Sequence, residues 1–331
     1  MTAYDVMPDI ELYQPATVED ATELAARLKG TAWLLAGGQD TYGWLKDRAK
    51  TVEAMIDLKG VDALKGIREM PGGVEIGALT TLTEIVRHPL IGERYPLLRE
   101  AAAVVASPQI RNMGTLGGNL CQDTRCWYYR RGLSCYRAGG NTCYADSPAG
   151  MNREHALFGA SRCVAVSPSD TAIALSALEA TMIATSRRGS REIPADDFFV
   201  GPDVDIVNMT ALVDDEVLAS VRLPDRWANA EFHFEKVADR NVWDFALVSI
   251  AAALRMRTGR IEGARLACGG VACVPYRLPA VERAVVGKPR SESTGEQAAR
   301  LASRGAAPLN HNQFKAPLME NLVRRALRGK A

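Results

Sequence analysis

Residues 110 to 119 read IRNMGTLGGN, and the segment that follows, as far as position 163, carries Cys121, Cys126, Cys135, Cys143 and Cys163. Thr115, Gly117, Gly118 and Asn119 place a hydroxyl, two unencumbered amides and a carboxamide close together, which is equipment for holding a pyrophosphate. A plain glycine-rich hairpin would show the same residues, so the loop needs a second indication. Residues 34 to 41, LLAGGQDT, supply one. There Gly37-Gly38 breaks an apolar run, lets the backbone approach a ligand and exposes successive N–H groups, with Asp40 and Thr41 as polar handles. AGGQDT lacks the spacing of a dinucleotide fingerprint, and alone it reads equally as a strand-to-helix turn. Two such loops in one chain favour a phosphate-containing cofactor.

Five of the seven cysteines fall between 121 and 163, at separations of 5, 9, 8 and 20. In a chain of this kind a cluster of thiols reads as metal ligands before disulfides. Structural zinc prefers close C-x2-4-C knuckles, and only Cys121–Cys126 comes near one. The wide, irregular spacing suits an iron–sulfur cluster at least as well. His155 is the one histidine in the segment. Arg125, Arg130, Arg131 and Arg137 read either as charge compensation for thiolates or as a solvated basic face. Cys268 and Cys273 read as structural.

The 331 residues, 47% hydrophobic and 24% charged with net charge +1, are long enough for two or three subdomains with shared cores. That charge gives no reason to expect nucleic acid or a membrane surface as partner. Met1 to Pro15 has no apolar core of a signal peptide. No window approaches the roughly 18 apolar residues of a spanning helix, so the expected compartment is the cytoplasm.

Taken in order, the pattern predicts a short strand and a helix capped by Thr17, then strands punctuated by Lys59-Gly60 and Pro71-Gly72-Gly73 and a helix begun near Thr83. PLLREAAAVVAS predicts a helix stopped by Pro108. Asp170 is expected to cap the next helix, with a strand and a hairpin turn at Arg188-Gly189-Ser190 after it. Two strand segments close at Pro224. Beyond a boundary near 224 to 229 the pattern predicts strand, helix, strand, helix, the first helix spanning Trp243 to Ala253, and finally an amphipathic C-terminal helix. This mixture argues for α+β layers rather than a βαβ nucleotide fold.

LLAGGQDT, MIDLKG, EIGALTTLTEI, SPQIRNMGTLGGNL, SPSDTAIALSALEA, FEKVADRNVWDFALVSIAAAL and the NQFK and LVRRAL tail together resemble the FAD-binding medium subunit of the molybdenum hydroxylases. That is the xanthine dehydrogenase and carbon monoxide dehydrogenase flavoprotein family, and the likeness runs nearly end to end. It implies an α+β fold: a two-part vanillyl-alcohol-oxidase-type FAD-binding domain over 1–224, with subdomains 1–57 and 58–224, and a small C-terminal α+β domain over 225–331. It also implies that Ala36, Gly37, Gly38, Gln39, Asp40 and Thr41 wrap the FAD pyrophosphate, Asp40 lying on the flavin side. Gln39 stands where Thr, His or Ser is more usual. Arg111, Asn112, Thr115, Gly117, Gly118 and Asn119 match the second FAD loop, Asp170 the aspartate that follows it, and Lys236 a basic residue near the isoalloxazine. None of these residues is expected to act on the organic substrate.

In most of the family the spacer between that asparagine and that aspartate is short. Here Asn119 and Asp170 lie 51 positions apart (170 minus 119), and the stretch between them contains the thiols, an insertion at about 120–165. This resembles the 4-hydroxybenzoyl-CoA reductase branch, whose flavin subunit carries an additional [4Fe–4S] cluster. The likeness implies Cys121, Cys135, Cys143 and Cys163 as ligands, with Cys126 as the alternative for the first place. The partners implied are a [2Fe–2S] small subunit, a molybdopterin large subunit and a ferredoxin-like donor or acceptor. Electrons would run from the donor through the cluster and FAD towards reductive dehydroxylation of an aromatic substrate. Two alternatives stand beside this reading: an oxidative hydroxylase subunit feeding NAD+ or ferredoxin, and a zinc-stabilised non-catalytic scaffold.

Overall fold

The computed structural model describes residues 7–329, so the first six residues of the stretch read as lacking a signal peptide lie outside it. Three sheets organise the chain. The first is parallel, β1 (Glu11–Tyr13), β2 (Ala32–Leu35) and β3 (Ala54–Asp57) in the order β1-β3-β2. Between β1 and β2 runs the helix Val18–Arg27, and Thr17 caps it by accepting from the Asp20 N–H at 3.0 Å. The Gly37-Gly38 loop follows β2 directly and leads into the helix Thr41–Lys46. A parallel strand, tight loop and helix therefore aim backbone N–H groups towards one spot.

The second sheet contains β4 (Ile67–Met70), β5 (Gly73–Gly77), β6 (Thr181–Ser186), β7 (Gly189–Pro194) and β8 (Val217–Pro224), all pairs antiparallel, in the order β4-β5-β8-β6-β7. The helices Leu82–Arg87, Pro96–Ala103 and Asp170–Ala177 share its core. The third sheet, β9 (Glu231–Val237), β10 (Val248–Arg257), β11 (Arg260–Gly269) and β12 (Tyr276–Arg277), is antiparallel in the order β12-β11-β10-β9.

Several expectations change here. The helix expected over Trp243 to Ala253 is instead a loop and the strand β10. Ala251 and Ala253 pack into the core shared with the second sheet, whereas Ile250, Ala252 and Leu254 pack against the C-terminal helices. A strand buried on both faces has no polar alternation, so it reads like a buried helix. Trp243 has φ 80°, which no right-handed helix accommodates. Pro108 does not stop a helix but starts one, Pro108–Met113, whose cap is Ser107. The helix near Thr83 is capped by Thr81 through a reciprocal pair with Glu84. Ser169, not Asp170, caps Asp170–Ala177; all eight residues of that helix are buried, because sheets two and three enclose it. Of the two strands expected before Pro224 only β8 is regular; the rest is a Phe199–Thr210 bridge.

Candidate functional site: a flavin cradle beside a thiol-lined cavity

The two glycine-rich loops meet. A Cβ on Gly37 would stand 2.1 Å from the Met113 carbonyl oxygen, and one on Gly118 would touch Ala36 Cβ at 4.0 Å. A Cβ on Gly117 would stand 2.9 Å from Ala78 Cβ. Gly38 has φ 72°, and a side chain there would strike the Tyr42 ring. Thr115 Oγ1 accepts from the Gly118 N–H at 3.0 Å, and Gln39 Nε2 donates to the Gly37 carbonyl at 3.1 Å. Asn119 Oδ1 accepts from Ser169 and Thr171 at 2.7 and 2.5 Å, which fixes the second loop to the helix that begins with Asp170. Thr41 is buried at the head of its helix.

Other members of the expected set point elsewhere. Arg111 donates to the Val105 carbonyl at 2.8 Å, and Asn112 accepts from Thr83 at 2.7 Å. Asp170 and Lys236 form a buried ion pair at 2.6 Å, and Lys236 also donates to the Val104 carbonyl. Burial holds the Asp170 carboxyl above the usual carboxylate range while the Lys236 ammonium pulls against it. Asp40 makes ion pairs with Arg125 and Arg130 of the insertion and accepts from Trp44 Nε1 at 3.1 Å. The first glycine loop is thus tied to the thiol segment, a link the sequence could not reveal.

A cavity of about 1020 Å³ is lined by residues from 124–131, 165–170 and 239–249. Of the expected cofactor-binding residues only Asp170 stands on its wall, and the glycine loops reach it through Asn119, which accepts from Ser169, and Asp40, which pairs with Arg125 and Arg130. Trp243 and Phe245 stand exposed at it, and Arg125 covers the Phe245 ring at 4.9 Å. The Trp243 N–H donates to the Ala106 carbonyl at 2.8 Å, which holds this loop in its left-handed turn. Thr124 Oγ1 and Ser249 Oγ, both buried, both lining the cavity, lack a hydrogen-bond partner. Buried hydroxyls left unpaired are costly, so this wall is built for a ligand with polar edges, as FAD has. The residues fit the flavin.

The thiols converge on a second, small cavity of about 20 Å³. Cys126, Cys135, Cys143 and Cys163 all line it, with His155 and Arg137. Cys121 does not. It closes the short helix Leu116–Leu120 and is exposed, while Cys126, the alternative for the first place, lines the cavity. Burial pushes the Cys126 thiol up to about 11 and raises that of Cys143 as well. Cys268 and Cys273 are buried, and Cys273 Sγ donates to the Ala165 carbonyl at 2.7 Å, next to Cys163. Among the described residues no three His, Cys, Asp or Glu side chains stand close enough to hold a single metal ion. The expected cluster cage is therefore not preformed, and the free space is about that of one water. In an iron–sulfur cluster each thiolate would take its own iron, so four separated thiols beside the buried Arg137 guanidinium are the donor set that such an anionic group would require. Cys126, His155 and Ala165 line both cavities, so the two share a wall.

Residues 8–226 match the FAD binding domain in molybdopterin dehydrogenase, and residues 233–329 match the CO dehydrogenase flavoprotein C-terminal domain. The chain is a FAD-binding subunit of the molybdenum hydroxylase family. It is 35% identical to the aldehyde oxidoreductase FAD-binding subunit PaoB of Escherichia coli, over 80% of this chain and 82% of that one. It is 28% identical to the carbon monoxide dehydrogenase medium chain of Hydrogenophaga pseudoflava, over 97% of each. The solved structure of carbon monoxide dehydrogenase from the same organism, in the form lacking the Mo-pyranopterin moiety, superposes with a TM-score of 0.77 at 28% identity, again covering 97% of each chain. Those two relatives are named as a FAD-binding subunit and a medium chain. No helix among its described residues is long and apolar enough to cross a membrane.

Proposed function

We propose that this flavoprotein subunit carries a [4Fe–4S] cluster beside its FAD and relays electrons between them. The observation that supports this most is the shared wall: four thiols around one cavity, with Cys126 and His155 also facing the larger cavity that Asp170 lines. When bound, FAD exchanges two electrons and an iron–sulfur cluster one, so neighbouring sites convert between the two regimes. The chain's own residues hold and position. Gly37, Gly38, Thr115, Gly117, Gly118 and Asn119 would hold the pyrophosphate, and Thr124 and Ser249 would meet polar edges of the flavin. Cys126, Cys135, Cys143 and Cys163 would hold the iron. Arg125 and Arg130 keep Asp40, and with it the first loop, against the insertion.

A [2Fe–2S] small subunit and a molybdopterin large subunit would complete the relay, with NAD+ or a ferredoxin-like protein as the outside partner. The aldehyde oxidoreductase and carbon monoxide dehydrogenase relatives favour the oxidative direction, in which electrons leave the molybdenum subunit through this chain. The thiol insertion favours a second reading, the reductive dehydroxylation of an aromatic substrate, free or CoA-linked, by a 4-hydroxybenzoyl-CoA reductase-like complex. The test is anaerobic purification with the neighbouring subunits, metal and flavin analysis, and reduction of the flavin by substrate or by a low-potential donor. The proposal expects about four irons and four sulfides per FAD; one zinc per chain contradicts it. Faster flavin reduction by an aldehyde than by the donor supports the oxidative direction, and the reverse supports the reductive one.

A further inference from the structure

Two buried side chains reach the thiols without belonging to the ligand set. His155, 4% exposed, places Nε2 3.4 Å from Cys126 Sγ. Arg137, whose side chain is 1% exposed, donates from Nε to Cys163 Sγ at 3.4 Å. Its other partners are the Val207 carbonyl and Met209 Sδ, both at 2.9 Å, and Asp123 at 3.7 Å. Asp123 is shared with Lys50, which lies closer at 2.6 Å. A buried guanidinium with so little carboxylate of its own is costly unless further negative charge lies near.

Resting on the iron reading above, we propose that His155 and Arg137 are positioning residues that set the reduction potential of the cluster through hydrogen bonds to the Cys126 and Cys163 sulfurs. Reduction adds one electron, hence one negative charge, to a thiolate-ligated cluster. Donors aimed at the sulfurs favour the form with more negative charge, so they raise the potential. Cys135 and Cys143 have no such side-chain donor among the described contacts of the site, so the two ends of the cage differ. His155 also lines the larger cavity that Asp170 and Ser249 line, so one of the two groups faces both cavities.

Complexes carrying His155→Leu, His155→Gln and Arg137→Gln test this. Iron, sulfide and FAD are counted, and the cluster midpoint is followed by electron paramagnetic resonance during a redox titration. His155→Leu should keep its iron and move the cluster midpoint to lower potential, further than the flavin midpoint moves. His155→Gln, which keeps an N–H donor, should recover part of the shift, and Arg137→Gln should also lower the midpoint. An unmoved midpoint in iron-bearing His155→Leu overturns the assignment, as does a Gln variant shifted as far as the Leu variant. If His155→Leu sheds its iron, Arg137→Gln decides in the same way: a lowered midpoint supports the assignment and an unmoved one overturns it. Flavin without iron in the wild-type complex sinks the underlying iron reading, and the assignment with it. That result differs from iron-bearing variants whose potentials do not move.

Discussion

Lys236, which the family resemblance puts near the isoalloxazine, forms a buried ion pair. Its ammonium is spent on Asp170, at 2.6 Å with both side chains almost fully buried, and the pair locks β9 to the helix that carries Asn119's partner Thr171. Removing one member of such a pair leaves an uncompensated charge, typically at about 3–5 kcal/mol. Lys236→Met should therefore lower stability by that order in thermal or urea unfolding. The Asp170 carboxyl, already raised by burial, rises further without its partner. A group whose folded pKa exceeds its unfolded value loses stability as pH climbs between the two. The deficit of Lys236→Met should thus be smaller at pH 5 than at pH 8, and Asp170→Asn added to it should recover much of the loss. A deficit of less than about 1 kcal/mol at pH 8 would show that the pair is not what holds this junction.

At the scale of elements, the C-terminal helix Lys315–Leu327 is fastened to the insertion by its first residue. Lys315 is fully buried, and its Nζ donates to the His155 carbonyl at 3.0 Å and the Gly270 carbonyl at 2.8 Å. A neutral amine has two N–H donors for these two acceptors, and burial pulls the group down to about 7. Between that value and the ordinary lysine range the unfolded chain holds a proton that the folded chain lacks. Folding should therefore gain stability with rising pH, by about 1.4 kcal/mol per unit. The difference in unfolding free energy between wild type and Lys315→Met should grow from pH 7 to pH 9.5; a flat difference contradicts the assignment. Elements with one buried face were legible in the sequence, such as Val18–Arg27 with Thr17 as cap and the hairpin at β6–β7. The strand β10, enclosed on both faces, was not: it shows no alternation because both its faces are apolar, whereas the helix Asp170–Ala177 was legible although all eight of its residues are buried. Caps one or two residues away from the expected Thr83 and Asp170 were missed because several hydroxyls compete at each helix start.

On the scale of the whole molecule, the insertion is joined to the flavin loop through Asp40. Arg125 and Arg130 grip that carboxylate, Arg130 lies 4.0 Å above the Trp44 ring, and Trp44 packs with Tyr129 and Cys135. The chain from thiol cavity to cofactor loop is thus continuous. Replacing both Arg125 and Arg130 by Ala should weaken FAD retention about tenfold or more, the equivalent of roughly 1.4 kcal/mol, while iron stays bound; unchanged retention on gel filtration would break the link. The sequence showed both glycine loops and the thiol cluster, since each is local. It could not show that Arg125 and Arg130 face Asp40, that Arg137 is buried against Cys163, or that Cys126 rather than Cys121 faces the cavity. These depend on how residues far apart in the chain pack together.

Iron and acid-labile sulfide per FAD, measured in anaerobically purified wild-type, Cys121→Ser and Cys126→Ser complexes, test the account most directly. About four irons per flavin in wild type and Cys121→Ser, with iron lost and FAD kept in Cys126→Ser, is the predicted result. Iron lost from Cys121→Ser but retained by Cys126→Ser, or a wild-type complex holding flavin and no iron, would contradict it.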